Sequence, residues 1–524
     1  MFSVSKSLNH LVNQISDPYM YHNLVRKSLI AVTAALSLQS INSQTPEWQK
    51  YVDQAPFKIN LPKVTQKDIA QKVISIVDYG AVADGKTLNT TAFQNAIDQA
   101  SKHGNTTVMV PAGTWLLGAI ELKSNITLHL SEGALMQFTR DRTQYPLLPK
   151  NSSGKEYFVM SPIYARDVEN VVITGKGTID GGGDSWRPVK KAKVTPEFWS
   201  ELTKTGVLSE DKKVWWPTED ALNGEKILQD LKKKSNLTAA DFLPTRDFLR
   251  PYMMNLIKIK NLQIQGITIR NSPKLTVYVS QSDGVLLTDL TVLNPKYGQN
   301  TDGIDISASK NVLVYNCHVD VGDDGICMKS SSSKGEPGPR LENIIIAKST
   351  VHHAHGGFTI GSNTDGGMNN IFVTDCHFSG TDIGIRVKSN EGIGGPVSNI
   401  YIQNIKMDNI IDESINMSSF YENRQVGKTP VKYAPGEGKI PEYSKFYFKN
   451  ISCDGAETAM KLVGVEDVPI HELYFENVNI TAKNGFEAEN VKDITFRNTK
   501  LNVQGKPFIL KNTENILLDG VAVK

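Results

Sequence analysis

Between residues 311 and 402 the chain reads Asn311-Val312-Leu313-Val314, then Asn343-Ile344-Ile345-Ile346, Asn370-Ile371-Phe372-Val373 and Asn399-Ile400-Tyr401-Ile402. The starts are 32, 27 and 29 residues apart. Each unit opens on a polar residue, continues in β-formers, then turns and gives a second short strand. The same opening occurs at Asn170, Asn261, Gly284, Glu472, Asp493 and Asn515. The period is too short for a βαβ unit with a full helix and lacks the spacing of helix pairs. Within a unit, Ile385 and Val387 alternate with Arg386 and Lys388, which puts aliphatic and polar residues on opposite faces. Stacked coils pair each strand with the next coil about 4.8 Å away and bury one continuous core, and a repeated Asn suits a hydrogen-bonded ladder. The expected fold is all-β, a single-stranded right-handed parallel β-helix. A β-propeller would want repeats of roughly 40–50 residues.

Outward from the repeat, three stretches break the period. Asp78–Gly85 leads into Asn89-Thr90-Thr91-Ala92-Phe93-Gln94-Asn95-Ala96-Ile97, which reads as a capped amphipathic helix closing the solenoid's N-terminal end. Residues from about 184 to 250 form a charged, partly helical insertion. Ser200 and Thr238 read there as helix starts, and Trp186, Trp199, Trp215 and Trp216 fall within it. It is either a lid over core or a wall at one end of a cleft. Tyr421–Tyr443 is a Gly/Pro/Lys-rich loop.

The first 44 residues read as a signal peptide with an upstream extension. Arg26 and Lys27 precede the apolar run Leu29–Leu38, which is too short to span a membrane, and small and polar residues follow to Gln44. Residues 45–72 form a lead segment and 73–524 the β-helix domain. The expected product is exported, periplasmic or extracellular, with no membrane partner. A net charge of +2 on 524 residues gives no field suited to nucleic acid, so an acidic ligand would be read by local Arg and Lys. The four cysteines, Cys317, Cys327, Cys376 and Cys453, lack metal spacing and read as buried free thiols; no metal or cofactor is expected.

The chemistry gathers on consecutive coils. Asn300-Thr301-Asp302-Gly303-Ile304-Asp305 is followed by Gly322-Asp323-Asp324-Gly325-Ile326, and Asp324 lies 22 residues, about one coil, after Asp302. On a β-helix these acids stack on neighbouring turns, and crowded carboxylates raise at least one pKa. Glycosidic hydrolysis needs such a split, one acid protonated and one ionised. The blander alternatives are a calcium site or ordinary Asp-Gly turns. Arg386 and Lys388 follow His355 by about one coil and share an outward face, a pair suited to a carboxylate.

Together, Asn300-Thr301-Asp302, Gly322-Asp323-Asp324, His355-Gly356 and Arg386-Val387-Lys388 resemble, in order, the signature segments of glycoside hydrolase family 28, the polygalacturonases. The resemblance runs from about Val73 to the end. It implies inverting, metal-independent hydrolysis of α-1,4-galacturonosidic bonds in polygalacturonate, pectin or oligogalacturonides. Asp323 would be the general acid, Asp302 and Asp324 would activate water about 6.5–9.5 Å away, and His355 would assist. Asn300 and Asp305 would support the substrate, and Arg386 and Lys388 would hold its carboxylate. The segment His355-Gly356-Gly357-Phe358-Thr359-Ile360-Gly361-Ser362 is one residue longer than the family pattern, so Gly356 competes for the histidine's register and His353 is the other candidate imidazole. That variant and the insertion look more like the exo-acting bacterial members.

Competing readings are a calcium-dependent β-helix pectate lyase, an α-galacturonidase acting on rhamnogalacturonan fragments, and a non-catalytic β-helix that binds polysaccharide.

Overall fold

The computed structural model describes residues 45–62, 72–150, 156–332, 340–421 and 440–523. The expected signal segment, and residues 422–439 of the Gly/Pro/Lys-rich loop, lie outside the described residues. The chain divides into two compact units, Met1–Asp53 and Gln54–Lys524. The described part of the first holds most of a short helix, Gln49–Gln54.

The second unit is a parallel β-helix whose turns each feed strands into parallel ladders. One ladder runs Ile163–Met254–Val277–Ile304–Ile326–Phe358–Ile385–Ile415–Met460–Phe486–Phe508, adjacent members belonging to successive turns. A second runs Ile126–Val171–Leu262–Val285–Val312–Ile344–Ile371–Ile400–Phe446–Leu473–Ile494–Ile516. A third passes through Thr268, Thr291, His318, Thr350, His377 and Lys406. Period-two alternation points the aliphatic members inward, where nearly all are fully buried. Phe448, Phe475 and Phe496 stack at 4.6 and 4.8 Å, ring over ring, because they occupy the same position on successive turns.

The polar residue that opens each unit has a backbone reason. Asn170, Asn261, Asn311, Asn343, Asn370, Asn399 and Asn515 all have φ between 52° and 63°, the left-handed conformation that bends the chain between strands. Asn tolerates it better than other residues with a Cβ, and glycine, which fills the place at Gly284 with φ 74°, tolerates it best. Glu472, at φ 56°, is the costly member. The amides then pair along the axis: Asn170 donates to Asn125 at 2.8 Å, Asn261 to Asn170 at 2.9 Å and Asn370 to Asn343 at 3.0 Å.

Helix α1, Thr90–His103, closes the N-terminal end with Phe93, Ala96, Ile97 and Ala100 buried. Asn89 does not cap it by side chain. Its amide instead accepts from Val82 N–H at 2.7 Å and donates to Val82 O at 3.0 Å, fixing the preceding turn. In the insertion, α2 (Pro196–Leu202) starts at Thr195, whose hydroxyl accepts from Phe198 N–H, rather than at Ser200. Pro196 explains this, since its fixed φ and missing N–H suit the first helical position. Thr238 does open a helix, Ala239–Thr245, as a 3-10 helix with a capping box. The tryptophans serve different packings: Trp186 enters the solenoid core against Tyr145, while Trp216 packs on Phe248.

Candidate active site

The site lies on the first ladder, on strands β1 (Val277–Ser280), β2 (Ile304–Ser307), β3 (Ile326–Lys329), β4 (Gly356–Ile360), β5 (Ile383–Lys388), β6 (Glu413–Ser418) and β7 (Thr458–Val463). Asp302 and the Asp323-Asp324 pair occupy the bends entering β2 and β3. Gly303 N–H donates to Asp324 O at 2.9 Å, which sets Asp302 beside Asp324 on neighbouring turns. Asp302, Asp323 and Asp324 each contribute a carboxylate oxygen to a group whose members lie within 4.8 Å of one another. That is tighter than the expected acid-to-base gap. Strand spacing fixes the distance across turns, and covalent adjacency fixes it within β3's entry.

Cations are built into this cluster. Lys388 Nζ lies 2.7 Å from Asp324 Oδ2, Arg386 Nη1 is 3.5 Å from its Oδ1, and the Thr359 hydroxyl donates to Oδ1 at 3.2 Å. Lys329, at the end of β3, sits 3.2 Å from Asp302 Oδ2 and also bonds Asp305 Oδ1. Arg386 and Thr359 are cross-strand neighbours. Placing like-facing residues on one rung concentrates the charges.

Electrostatics separate the acids. Burial is the main cause that lifts Asp302 to about 6; Lys329 opposes it, and Asp323 and Asp324 add to it. Burial likewise raises Asp305 well above the usual carboxylate range despite Lys329. Asp324 is equally buried, but Lys388, Arg386 and Lys329 overcome the desolvation and hold it well below that range. At Asp323 burial also pushes upward, yet the hydrogen bond from His355 and the charges of His355 and Lys388 leave it lowered. Crowding thus leaves Asp302 raised, while Asp323 is held down by its neighbour His355.

That neighbour settles the imidazole's register. His355 N–H donates to Asp323 O at 2.9 Å, and His355 Nδ1 lies 3.1 Å from Asp323 Oδ1. His355, and not Gly356, therefore stands beside Asp323. His353 points elsewhere, to Asp320 at 3.2 Å. Asp323 also accepts from Asn300 N–H at 3.2 Å and Asp324 N–H at 3.0 Å.

One expectation changes. Asp305 is fully buried, with one oxygen on Lys329, so it does not face the cleft and is an anchor for that lysine. Asn300 is exposed, and its side-chain oxygen accepts from Arg250 at 2.8 Å. Several residues join the site without having been expected there: Lys329 and Thr359 on the site strands, and Lys193 and Arg250 from the insertion. Lys193 Nζ lies 2.7 Å from His355 Nε2. The insertion therefore reaches the turn before β2 through Arg250 and the turn before β4 through Lys193; Lys274 stands before β1, where burial, with Arg250 nearby, lowers its ammonium to about 8.

Clefts open on both flanks. On the β5–β7 side a cavity of about 160 Å³ is lined by Arg386, Lys388, Asn416, Tyr421 and Lys461. The Tyr421 ring lies 4.5 Å from Lys388 Nζ. On the other side a cavity of about 320 Å³ is lined by Asp180, Arg187, Arg270, Asn271, Tyr297 and Asp320.

Comparison with known proteins accords with this geometry. Residues 245–504 match the family described as Glycosyl hydrolases family 28, and residues 73–192 match one described as Rhamnogalacturonase A/epimerase, pectate lyase-like. The chain is 27% identical over 485 residues to the exo-poly-alpha-D-galacturonosidase of Dickeya chrysanthemi, covering 86% of this chain and 75% of that one. It is 26% identical to an endo-polygalacturonase of Pectobacterium parmentieri, over 78% of this chain and 88% of the relative. Among solved structures, the family 28 exopolygalacturonase of Yersinia enterocolitica superposes with a TM-score of 0.68 at 24% identity, over 87% of this chain and 80% of that one. A hyperthermoactive exopolygalacturonase from Thermotoga maritima gives 0.64 at 25% identity, over 89% and 96%.

Proposed function

Because this chain belongs to glycosyl hydrolases family 28, we propose that it hydrolyses the α-1,4-galacturonosidic bonds of polygalacturonate, trimming from chain ends with inversion. The observation that carries this reading is the convergence of Asp302, Asp323 and Asp324 beside Arg386 and Lys388. A uronate carboxylate meets the planar fork of Arg386 in the β5–β7 cavity. Water is activated by Asp302, whose value of about 6 matches a base working in mildly acidic to neutral medium. Asp324, held ionised by Lys388 and Arg386, is too weak a base and instead fixes those cations. The leaving oxygen takes its proton from Asp323, whose Oδ1 lies 3.1 Å from His355 Nδ1.

A calcium-dependent lyase fits these residues less well. Lys388, Arg386 and Lys329 already lie on the carboxylates a divalent ion would need, so the ion would have to displace them. End trimming is supported by the insertion, whose Arg250 and Lys193 reach the turns before β2 and β4, on either side of Asp323. Residues 1–44 are proposed to direct export. Among the described residues no helix is long and apolar enough to cross a membrane.

The test is a time course of products from polygalacturonate and from rhamnogalacturonan, resolved by size, with and without chelator. Early release of monomer or dimer alone, insensitive to chelator and without ultraviolet absorbance, is expected. Mixed early oligomers would sink end trimming, an unsaturated product would sink hydrolysis, and release from rhamnogalacturonan alone would transfer the activity to that substrate.

A further inference from the structure

His355 is held from three sides. Asp323, on the bend entering β3, faces Nδ1 at 3.1 Å; Asp382, on the bend entering β5, lies 3.7 Å from Nε2; and Lys193, from the insertion, lies 2.7 Å from Nε2. A lysine ammonium has donors only, so at that distance Nε2 must be the acceptor. The ring proton is then on Nδ1, where it donates to Asp323 Oδ1. Asp323 already accepts from the Asn300 and Asp324 amides. With three donors on it, Asp323 is ionised in the free enzyme and cannot yet protonate a leaving group.

We infer that Lys193 is a positioning residue that keeps His355 Nε2 unprotonated until a substrate carboxylate draws the lysine away, so that the acid pair is loaded with its proton only when uronate is bound. This rests on the hydrolase reading above. Lys193 is exposed, and its hydrogen-bond partner is an uncharged nitrogen, a poorer match for an ammonium than a carboxylate. Every sugar of the proposed substrate supplies such a carboxylate. Once the lysine moves, Nε2 takes a proton from solvent. The Nδ1 proton passes to Asp323 and then to the leaving oxygen as the bond from that oxygen to the anomeric carbon breaks. Water forms the new bond to that carbon and gives its proton to Asp302. Arg250, Lys388, Asp302 and Asp324 also act on Asp323, but none of them contacts Nε2.

The test compares wild type, Lys193→Met and Lys193→Arg. Nitrogen-15 NMR of the imidazole, assigned by loss of the signal in His355→Gln, should find Nε2 unprotonated in resting wild type and in Lys193→Arg, and protonated in Lys193→Met. Adding galacturonate to wild type should protonate Nε2. In kinetics, Lys193→Met should raise KM and move the basic limb of kcat/KM upward, with Lys193→Arg restoring both. The same tautomer in all three proteins, or an unmoved basic limb, would overturn the inference and leave Lys193 a plain substrate contact. If wild type releases no sugar from polygalacturonate, the hydrolase reading fails, while the NMR comparison still decides the tautomer.

Discussion

The ammonium of Lys388 lies 2.7 Å from Oδ2 of Asp324, and both side chains are almost wholly removed from water, 6% and 3% exposed. Such a pair does not by itself make a protein stable, because desolvating both charges offsets their attraction. It does make each partner dependent on the other.

Lys388→Met is therefore expected to destabilise the fold by about 3–5 kcal/mol, the range for leaving one charge of a buried pair alone, and to abolish activity. Asp324 is depressed in the folded state, so its contribution is present above the unfolded carboxylate value of about 3.9 and is lost as pH falls below it. Urea midpoints should thus separate the proteins at pH 7 and begin to converge only as pH falls below about 4. Equal midpoints at pH 7 would refute the dependence.

Asp302 carries the opposite sign. Its folded value of about 6 exceeds the unfolded one, so the folded state is penalised as pH rises from about 4 to 6 and fully so above. Asp302→Asn should be as stable as wild type near pH 4 and more stable at pH 7, while losing about 10²–10⁴ in kcat. In wild type the acid limb of kcat/KM should fall near pH 6, read from a pH profile on a soluble oligogalacturonide.

The acids are legible in the sequence because a solenoid turns spacing along the chain into distance: 22 residues between Asp302 and Asp324 is one turn. His355 is harder, since the longer glycine-containing segment leaves its register open and only the neighbouring turn, through Asp323, fixes it. Asp305 misleads because period two gives the face of a strand but not the depth beneath neighbouring side chains. Lys329 is within reach of the same spacing argument, standing one turn after Ser307 on the same rung. Lys193 and Arg250 are not. They come from an insertion without the repeat, whose path over the site no spacing specifies.

Lys329 bridges Asp302 and Asp305, the latter with its other oxygen buried and unpartnered. Lys329→Met should destabilise by about 3–5 kcal/mol and push the acid limb above pH 6, because Asp302 loses a cation that lowers it. Adding Asp305→Asn should recover part of that stability, with a coupling of about 1–3 kcal/mol in the cycle. Strict additivity would show that Lys329 is not there to neutralise Asp305.

Arg386 tests substrate charge. It is partly exposed to the cavity that Asn416, Tyr421 and Lys461 also line. Arg386→Ala should lower kcat/KM on the free polyacid by about 10–100-fold, the value of a charged hydrogen bond. It should barely alter the slower reaction with the methyl ester, which lacks the anion. An equal loss on both substrates would mean that Arg386 serves Asp324 alone.

The anomeric outcome is the sharpest test of mechanism, because the carboxylate spacing points the wrong way for the proposal. Nearest oxygens within 4.8 Å resemble the roughly 5–5.5 Å of retaining enzymes more than the roughly 6.5–9.5 Å of inverting ones. A retaining enzyme, however, needs a carboxylate free to attack carbon. Here Asp324 is bound by Lys388 and Arg386, Asp302 by Lys329, and Asp323 by His355 and two amides. An attacking water needs only one lone pair on Asp302, which that crowding leaves available. Proton NMR of freshly released galacturonate should therefore show the β-anomer first, decaying by mutarotation. The α-anomer first would make Asp302 the nucleophile and overturn its assignment as base.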